Sequence, residues 1–311
     1  LLGADLEAVD AIIHERLSSS VALIPNLAAY LIDAGGKRVR PMITLAAAHA
    51  LGGANDATRK LAAAVEFIHT ATLVHDDVLD AASLRRGRPT VVATAGAEMA
   101  IATGDLLFAQ AFAGLTEPAA ADGAAAVRTL SDACSALARG ELVQRADAWD
   151  AHVSVDRYLH RCELKTARLF EAACLLGALA VGEDAGGLGR FGRGIGLAFQ
   201  LLDDVLDVAG PASRTGKHRG TDLLDGTVTL PFIVARQRSA ELAGLDLRVL
   251  TTPQDAERVC DAIAATGALD DARAMALDLV AQAKRDLPDA LDANRRAALE
   301  LVADGVVKRY S

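Results

Sequence analysis

Two copies of one pentapeptide, Asp-Asp-Val-Leu-Asp, stand at Asp76–Asp80 and Asp203–Asp207. Each closes an apolar stretch, "IHTATLVHDDVLD" in the first case and "GLAFQLLDDVLD" in the second. On a helix, residues i and i+4 share a face, so Asp76 pairs with Asp80 and Asp203 with Asp207. Asp77 and Asp204 are turned aside by about 100°. Like charges at that spacing repel. Carboxylates on an otherwise apolar face are costly unless they are paired or bind a cation. A hard cation answers both problems: Mg²⁺ takes one or two protein carboxylates and completes its shell with water and substrate phosphate. Two facing helices with such pairs would clamp a diphosphate through several Mg²⁺ ions.

A diphosphate also calls for basic side chains. "GGKRVRP" carries Lys37, Arg38 and Arg40 before a proline-started helix, and "SLRRGRPT" carries Arg85, Arg86 and Arg88 just past the first aspartates. "TGKHRG" carries Lys217, His218 and Arg219 after the second, and "ELKTARLFEAAC" adds Lys165 and Thr166 inside an apolar segment. Two rival phosphate motifs fail. "GPASRTGKH" has Pro211 where a phosphate loop needs its first glycine and His218 where it needs Ser or Thr. "GRFGRGIG" follows no strand, so a dinucleotide fingerprint is unsupported.

Helices must hold these groups. Apolar residues recur at i, i+3, i+4 and i+7 over Ala57–Leu79, Val92–Leu115, Val155–Ala180, Leu188–Val208 and Asp270–Leu287. The eight prolines fall at breaks in that pattern or in a first helical turn. No alternating strand runs appear. Composition agrees: aromatics are 4% of the chain and alanine and leucine dominate. The reading is all-α, about ten to twelve helices in a single domain over 1–311, with 52% hydrophobic residues to fill its core. The irregular stretch from Ala209 to Pro231 is a functional loop candidate.

A net charge of −9 excludes a basic nucleic-acid footprint. Cys134, Cys162, Cys174 and Cys260 lack C-x-x-C spacing and read as reduced core thiols. No uncharged apolar run reaches the ~18 residues of a membrane span, and "LLGADLEAVD" lacks the shape of a signal peptide. These features predict a cytoplasmic protein with no transmembrane segment.

"GGKRVRP", "HDDVLDAASLRRGRPT", "GDLLFAQAF", "GELVQ", "KTARLFEAA", "FQLLDDVLD" and "GTDLLDGTVTLP" follow one another in this order. In order and spacing the chain resembles the trans-isoprenyl diphosphate synthases, motif by motif from Gly35 to Pro231 and more loosely beyond. The resemblance implies a large helical bundle around a deep central cavity, usually a homodimer, with about three Mg²⁺ ions per active site. It implies catalytic roles for Asp76, Asp77, Asp80, Asp203, Asp204, Asp207 and Lys165. The metal falls to Asp76, Asp80, Asp203 and Asp207, with Asp77 beside them. Arg85, Lys165, Thr166, Gln200 and Lys217 match allylic diphosphate contacts. Lys37, Arg40, His69 and Arg86 match the isopentenyl diphosphate site. One position departs from the pattern: the family usually reads "GK.TLP", with its lysine on the diphosphate, and here Thr227 stands in that place. The neighbouring Lys217, His218 and Arg219 are candidates to compensate.

The implied reaction is ionisation of an allylic diphosphate, attack by the isopentenyl double bond and loss of a proton, which requires no side-chain nucleophile. Product length follows from the residues one turn before the first aspartates. Ala71 and Thr72 are small where short-chain members carry aromatic side chains, and Ala62, Ala63, Ala64 and Ile68 continue the small wall. An isoprene unit spans roughly one helical turn, about 5.4 Å. The room suits a long-chain product of about C35–C50, with Phe108 and Phe112 on the next helix as a floor or as core packing. Alternatives are a C20 product, or one subunit of a heteromeric synthase. A class I terpene cyclase would need an N-x-x-x-S-x-x-x-E second motif, which Asp203–Asp207 does not provide.

Overall fold

The structure, a computed structural model, describes residues 2–17, 38–85, 87–115, 122–210 and 218–308. The fold is all-α. Its helices are α1 (Gly3–Leu17), α2 (Val39–Leu51), α3 (Asp56–Leu79), α4 (Val91–Ala95), α5 (Ala97–Leu115), α6 (Gly123–Ala146), α7 (Val155–Cys162) and α8 (Arg168–Ala180). There follow α9 (Leu188–Ala209), α10 (Thr221–Leu224), α11 (Leu230–Arg236), α12 (Ala240–Ala243), α13 (Pro253–Ala265), α14 (Ala268–Arg285) and α15 (Ala293–Lys308). Helical periodicity located the long ones because several turns are needed before an apolar stripe can be seen.

Three local features depart from the expected pattern. The expected helix from Val92 is broken at Gly96, whose φ of 85° ends α4. A two-residue ladder, Leu84–Arg85 against Arg88–Pro89, follows the first aspartate motif. Glu163–Ala167, between α7 and α8, forms a π-helical turn.

The chain falls into two compact units. The first comprises Leu1–Cys134, Leu169–Gly192 and Asp286–Val302; the second comprises Ser135–Arg168, Arg193–Arg285 and Ala303–Ser311. In the first, α3 is the central element. Asn55 starts it with a reciprocal capping box to Thr58. It packs along α5 and is also flanked by α1 and α2. Leu61, Val65, Phe67, Ile68 and Val74 of α3 are buried to within 1%. In the second unit, α11 packs on α14, and Phe232, Ile195, Leu201 and Ile263 are fully buried. Among the described residues, no helix is long and apolar enough to cross a membrane.

Candidate active site

In the first unit, the last turns of α3 carry the first motif. Asp76 is half-buried and Asp80 exposed, and they continue a face begun by the half-buried His69 and Thr72. Asp77 points the other way and is 1% exposed. Its Oδ1 accepts from both Nε and Nη2 of Arg85 at 2.8 Å. The small hairpin after the motif therefore turns a basic residue back onto the middle aspartate. Asp77 is an ion-pair partner for Arg85, where the sequence reading set it beside the metal ligands. The last turn of α3 holds no basic residue. A helix C-terminus carries partial negative charge and favours cations, so Asp76 and Asp80 stand where a bound cation is favoured.

Arg40 lies in the first turn of α2 with its guanidinium 4.8 Å from the Phe170 ring centroid. Arg38 just before it has φ 47° and donates to Asp10 Oδ1 (2.7 Å) and to the buried Glu66 Oε1 (3.0 Å). This arginine pins the start of α2, a role the sequence reading did not assign. Its αL backbone has no signal in residue types. Lys37 and Arg86 lie outside the described residues.

Further along the same unit, Ala71 is fully buried and Thr72 donates its hydroxyl to the His69 carbonyl at 2.8 Å. Phe108 is half-buried and stacks on His75, with centroids 5.7 Å apart and planes at 25°. Phe112, one turn on, is also half-buried.

In the second unit, α9 carries the second motif with the same inside–outside pattern. Asp203 is exposed, Asp207 half-buried and Asp204 4% exposed. The last turn of α9 again holds no basic residue. Asp204 is held by hydrogen bonds. Its Oδ2 accepts from the Tyr158 hydroxyl at 2.6 Å, and its Oδ1 from Gln200 Nε2 at 2.8 Å. Gln200 Oε1 in turn accepts from Thr166 at 2.7 Å. Burial, with the Asp222 charge adding to it, pushes the Asp204 carboxyl up to about 8 against these hydrogen bonds. Thr166 and Gln200 are engaged in holding it.

Lys165 lies in the π turn and pairs with Glu141 of α6 at 2.5 Å. Burial alone would raise the Glu141 carboxyl, but Lys165 and Arg145 outweigh it and leave it below its ordinary value. Gly140 makes this approach possible: a Cβ there would stand 2.6 Å from the Lys165 amide nitrogen. π turns inside helices occur frequently at functional sites. Asp207 is held by the backbone: the Asp222 amide donates to its Oδ2 at 3.3 Å and the Gly220 amide to its carbonyl at 3.0 Å. Arg219 is directed elsewhere, to the Val208 carbonyl and to Asp261 Oδ1, both at 2.9 Å. Lys217 lies outside the described residues.

Among the described residues, no group of three or more His, Cys, Asp or Glu side chains is placed to hold a metal ion. Each motif instead offers an outward carboxylate pair. That fits Mg²⁺, which takes one or two carboxylates and draws the rest of its shell from phosphate and water. All four cysteines are free, and burial pushes each thiol up, Cys134 and Cys260 to about 12.

The comparisons with known proteins agree. Residues 21–266 match the family model for polyprenyl synthetase. The octaprenyl diphosphate synthase of Escherichia coli (strain K12) is 40% identical over 238 residues, 76% of this chain and 73% of that protein. An all-trans-nonaprenyl-diphosphate synthase (geranyl-diphosphate specific) of Rhodobacter capsulatus is 40% identical over 272 residues, 86% of this chain and 83% of that one. The crystal structure of a polyprenyl synthase from Caulobacter crescentus CB15, complexed with calcium and isoprenyl diphosphate, superposes with a TM-score of 0.93 at 41% identity. It covers 100% of this chain and 96% of that one. The chain belongs to the polyprenyl synthetase family, and its enzyme class is trans-prenyltransferase.

Proposed function

We propose that this protein condenses isopentenyl diphosphate with an allylic diphosphate, head to tail, and repeats the step to an all-trans product of about C35–C50. The observation that carries this reading is the outward carboxylate pair, Asp76 with Asp80 and Asp203 with Asp207, at helix ends that hold no basic residue. The long-chain relatives support the product class.

In this reading Asp76, Asp80, Asp203 and Asp207 hold Mg²⁺ on the allylic diphosphate. Bound there, Mg²⁺ neutralises charge that builds on the leaving diphosphate. Arg85, Lys165 and Lys217 add fixed positive charge beside it. Asp77 orients Arg85, and Glu141 orients Lys165. Thr166 and Gln200 act one step back, by fixing Asp204. Lys37, Arg40, Arg86 and His69 seat isopentenyl diphosphate so that its double bond meets the allylic carbon head-on. The small residues Ala71 and Thr72 leave the growing chain room to pass, and Phe108 and Phe112 limit it. The cavity these residues would line, and the joint use of both units as one catalytic domain, are part of the same proposal.

The proposal extends to a homodimer in the cytoplasm. The exposed apolar residues Ile101, Ala102 and Ala109 along α5 favour a second copy, and the free cysteines suit a reducing compartment. The test is product sizing. Purified protein is given Mg²⁺, farnesyl diphosphate and labelled isopentenyl diphosphate. A ladder ending at about C35–C50, absent in Asp76→Ala, is expected. A stop at C20 would overturn the chain length, and no elongation from any primer would overturn the activity of the chain alone.

A further inference from the structure

Arg161 has no role in the reading above. It lies in α7 and is 3% exposed. Nη2 donates to the Val228 carbonyl at 2.6 Å, while Nη1 is buried with no hydrogen-bond partner. The guanidinium stands 5.4 Å from the ring centroid of Tyr158, the residue whose hydroxyl holds Asp204. The buried Cys162 thiol, raised first by burial, is pushed further by the Asp204 and Asp222 carboxyls and pulled back by Arg161.

Stability does not explain such a group. A buried, half-satisfied cation is commonly replaced by an apolar side chain of similar volume at no loss, and buried polar atoms in folded proteins nearly always have partners. What the position does offer is placement. Val228, whose carbonyl Arg161 grips, follows Thr227 directly, and the Gly226–Val228 turn is fixed on both sides. The Thr227 amide donates to the Asp222 carbonyl at 2.8 Å, and the Gly226 carbonyl accepts from the Trp149 amide at 2.8 Å. Gly226, at φ 71°, could carry no side chain, because a Cβ would stand 2.4 Å from the Trp149 ring. The turn that bears Thr227 is thus rigid, uncharged at its tip and backed by one buried cation.

We propose that Arg161 is the fixed positive charge of the second aspartate site, supplying from behind the turn the charge that Thr227 does not carry. It acts as a positioning residue: it touches no substrate and holds the Gly226–Val228 turn through the Val228 carbonyl. This rests on the diphosphate-binding reading of the second motif.

The experiment uses the full-length chain and four forms: parent, Arg161→Met, Thr227→Lys and the double variant. Inorganic diphosphate is titrated calorimetrically in the presence of Mg²⁺, and KM is measured for farnesyl and isopentenyl diphosphates. Arg161→Met should bind inorganic diphosphate about 10- to 100-fold more weakly, raise KM for farnesyl diphosphate alike, and leave KM for isopentenyl diphosphate within about twofold. Adding Thr227→Lys should restore at least about tenfold of that loss, because a charge returns to the same turn. Thr227→Lys alone should tighten binding less than about threefold, since the parent already holds its charge. The idea is overturned if folded Arg161→Met binds like the parent, or if the double variant is not rescued. If Arg161→Met does not fold, Thr227→Lys alone decides: a tightening of about tenfold or more would mean that the parent lacks the charge. A parent that binds diphosphate yet elongates no primer would sink the proposed function and leave the titration to judge Arg161 separately.

Discussion

The two aspartate motifs share five letters and differ in what stands behind them. In both, the outer carboxylates reach the surface and the middle one is buried. Asp77 is answered by a charge, Arg85, only eight residues on. Asp204 is answered by hydrogen bonds, from Gln200 four residues back and from Tyr158 across 46 positions. The middle residue of the first motif is buried in an ion pair, and that of the second among hydrogen bonds, with burial pushing its carboxyl up. A repeated motif therefore fixes what faces the substrate, while the supporting partner is free to differ.

The outer carboxylates should give the largest effect and treat the motifs alike. Asp76→Ala and Asp203→Ala are each expected to lower kcat by about a thousandfold or more, with melting temperatures unchanged or slightly raised. A motif whose outer variant kept activity would break the symmetry. The middle residues should then separate the two. Asp77→Asn strands Arg85 beside a buried amide and is expected to cost about 2–3 kcal/mol in denaturant unfolding. Asp204→Asn keeps one oxygen to accept from Tyr158 but turns its amide toward the Gln200 donor, and should cost about 1 kcal/mol. Equal costs would remove the distinction between ion pair and hydrogen bonds.

Tyr158→Phe sharpens the same point on a smaller scale. It removes the donor to Asp204 Oδ2 and should cost about 1–2 kcal/mol, with an effect on turnover because Asp203 lies on the same turn. The smallest effect belongs to Glu141. Its folded-state value lies below the ordinary 4.5, so its pairing stabilises the protein above that pH and is lost as pH falls through the folded value. Melting curves of Glu141→Gln should lie slightly below the parent at pH 7 and converge with it as pH falls from 4.5 through the folded-state value.

Much of this was legible in residue order. The i,i+4 spacing of Asp76 with Asp80 foretold an accessible pair and a deflected Asp77, because helix geometry alone sets that angle. The long helices were visible in their apolar stripes. The supports were not. Nothing in "SLRRGRPT" says that Arg85 folds back by a two-residue hairpin, since a ladder that short has no periodicity. Arg161 reads as one more charged residue in a polar helix, and its burial is created by Tyr158 and by a carbonyl 67 positions away. Ala71 looked like cavity wall by size and lies fully buried. Residue size reports volume, and only the neighbours decide whether the volume is left open.

The π turn at Glu163–Ala167 has one more consequence. A helix is a shaft on which each residue advances the heading by about 100°. One surplus residue sits in this shaft, so everything before it is rotated relative to everything after it. Tyr158 and Arg161 belong to the phase before the turn. No side-chain substitution can alter that offset, because it is stored in the number of residues. Removing Leu164 alone would leave Lys165 and Thr166 in the sequence and turn both away from the headings they now have.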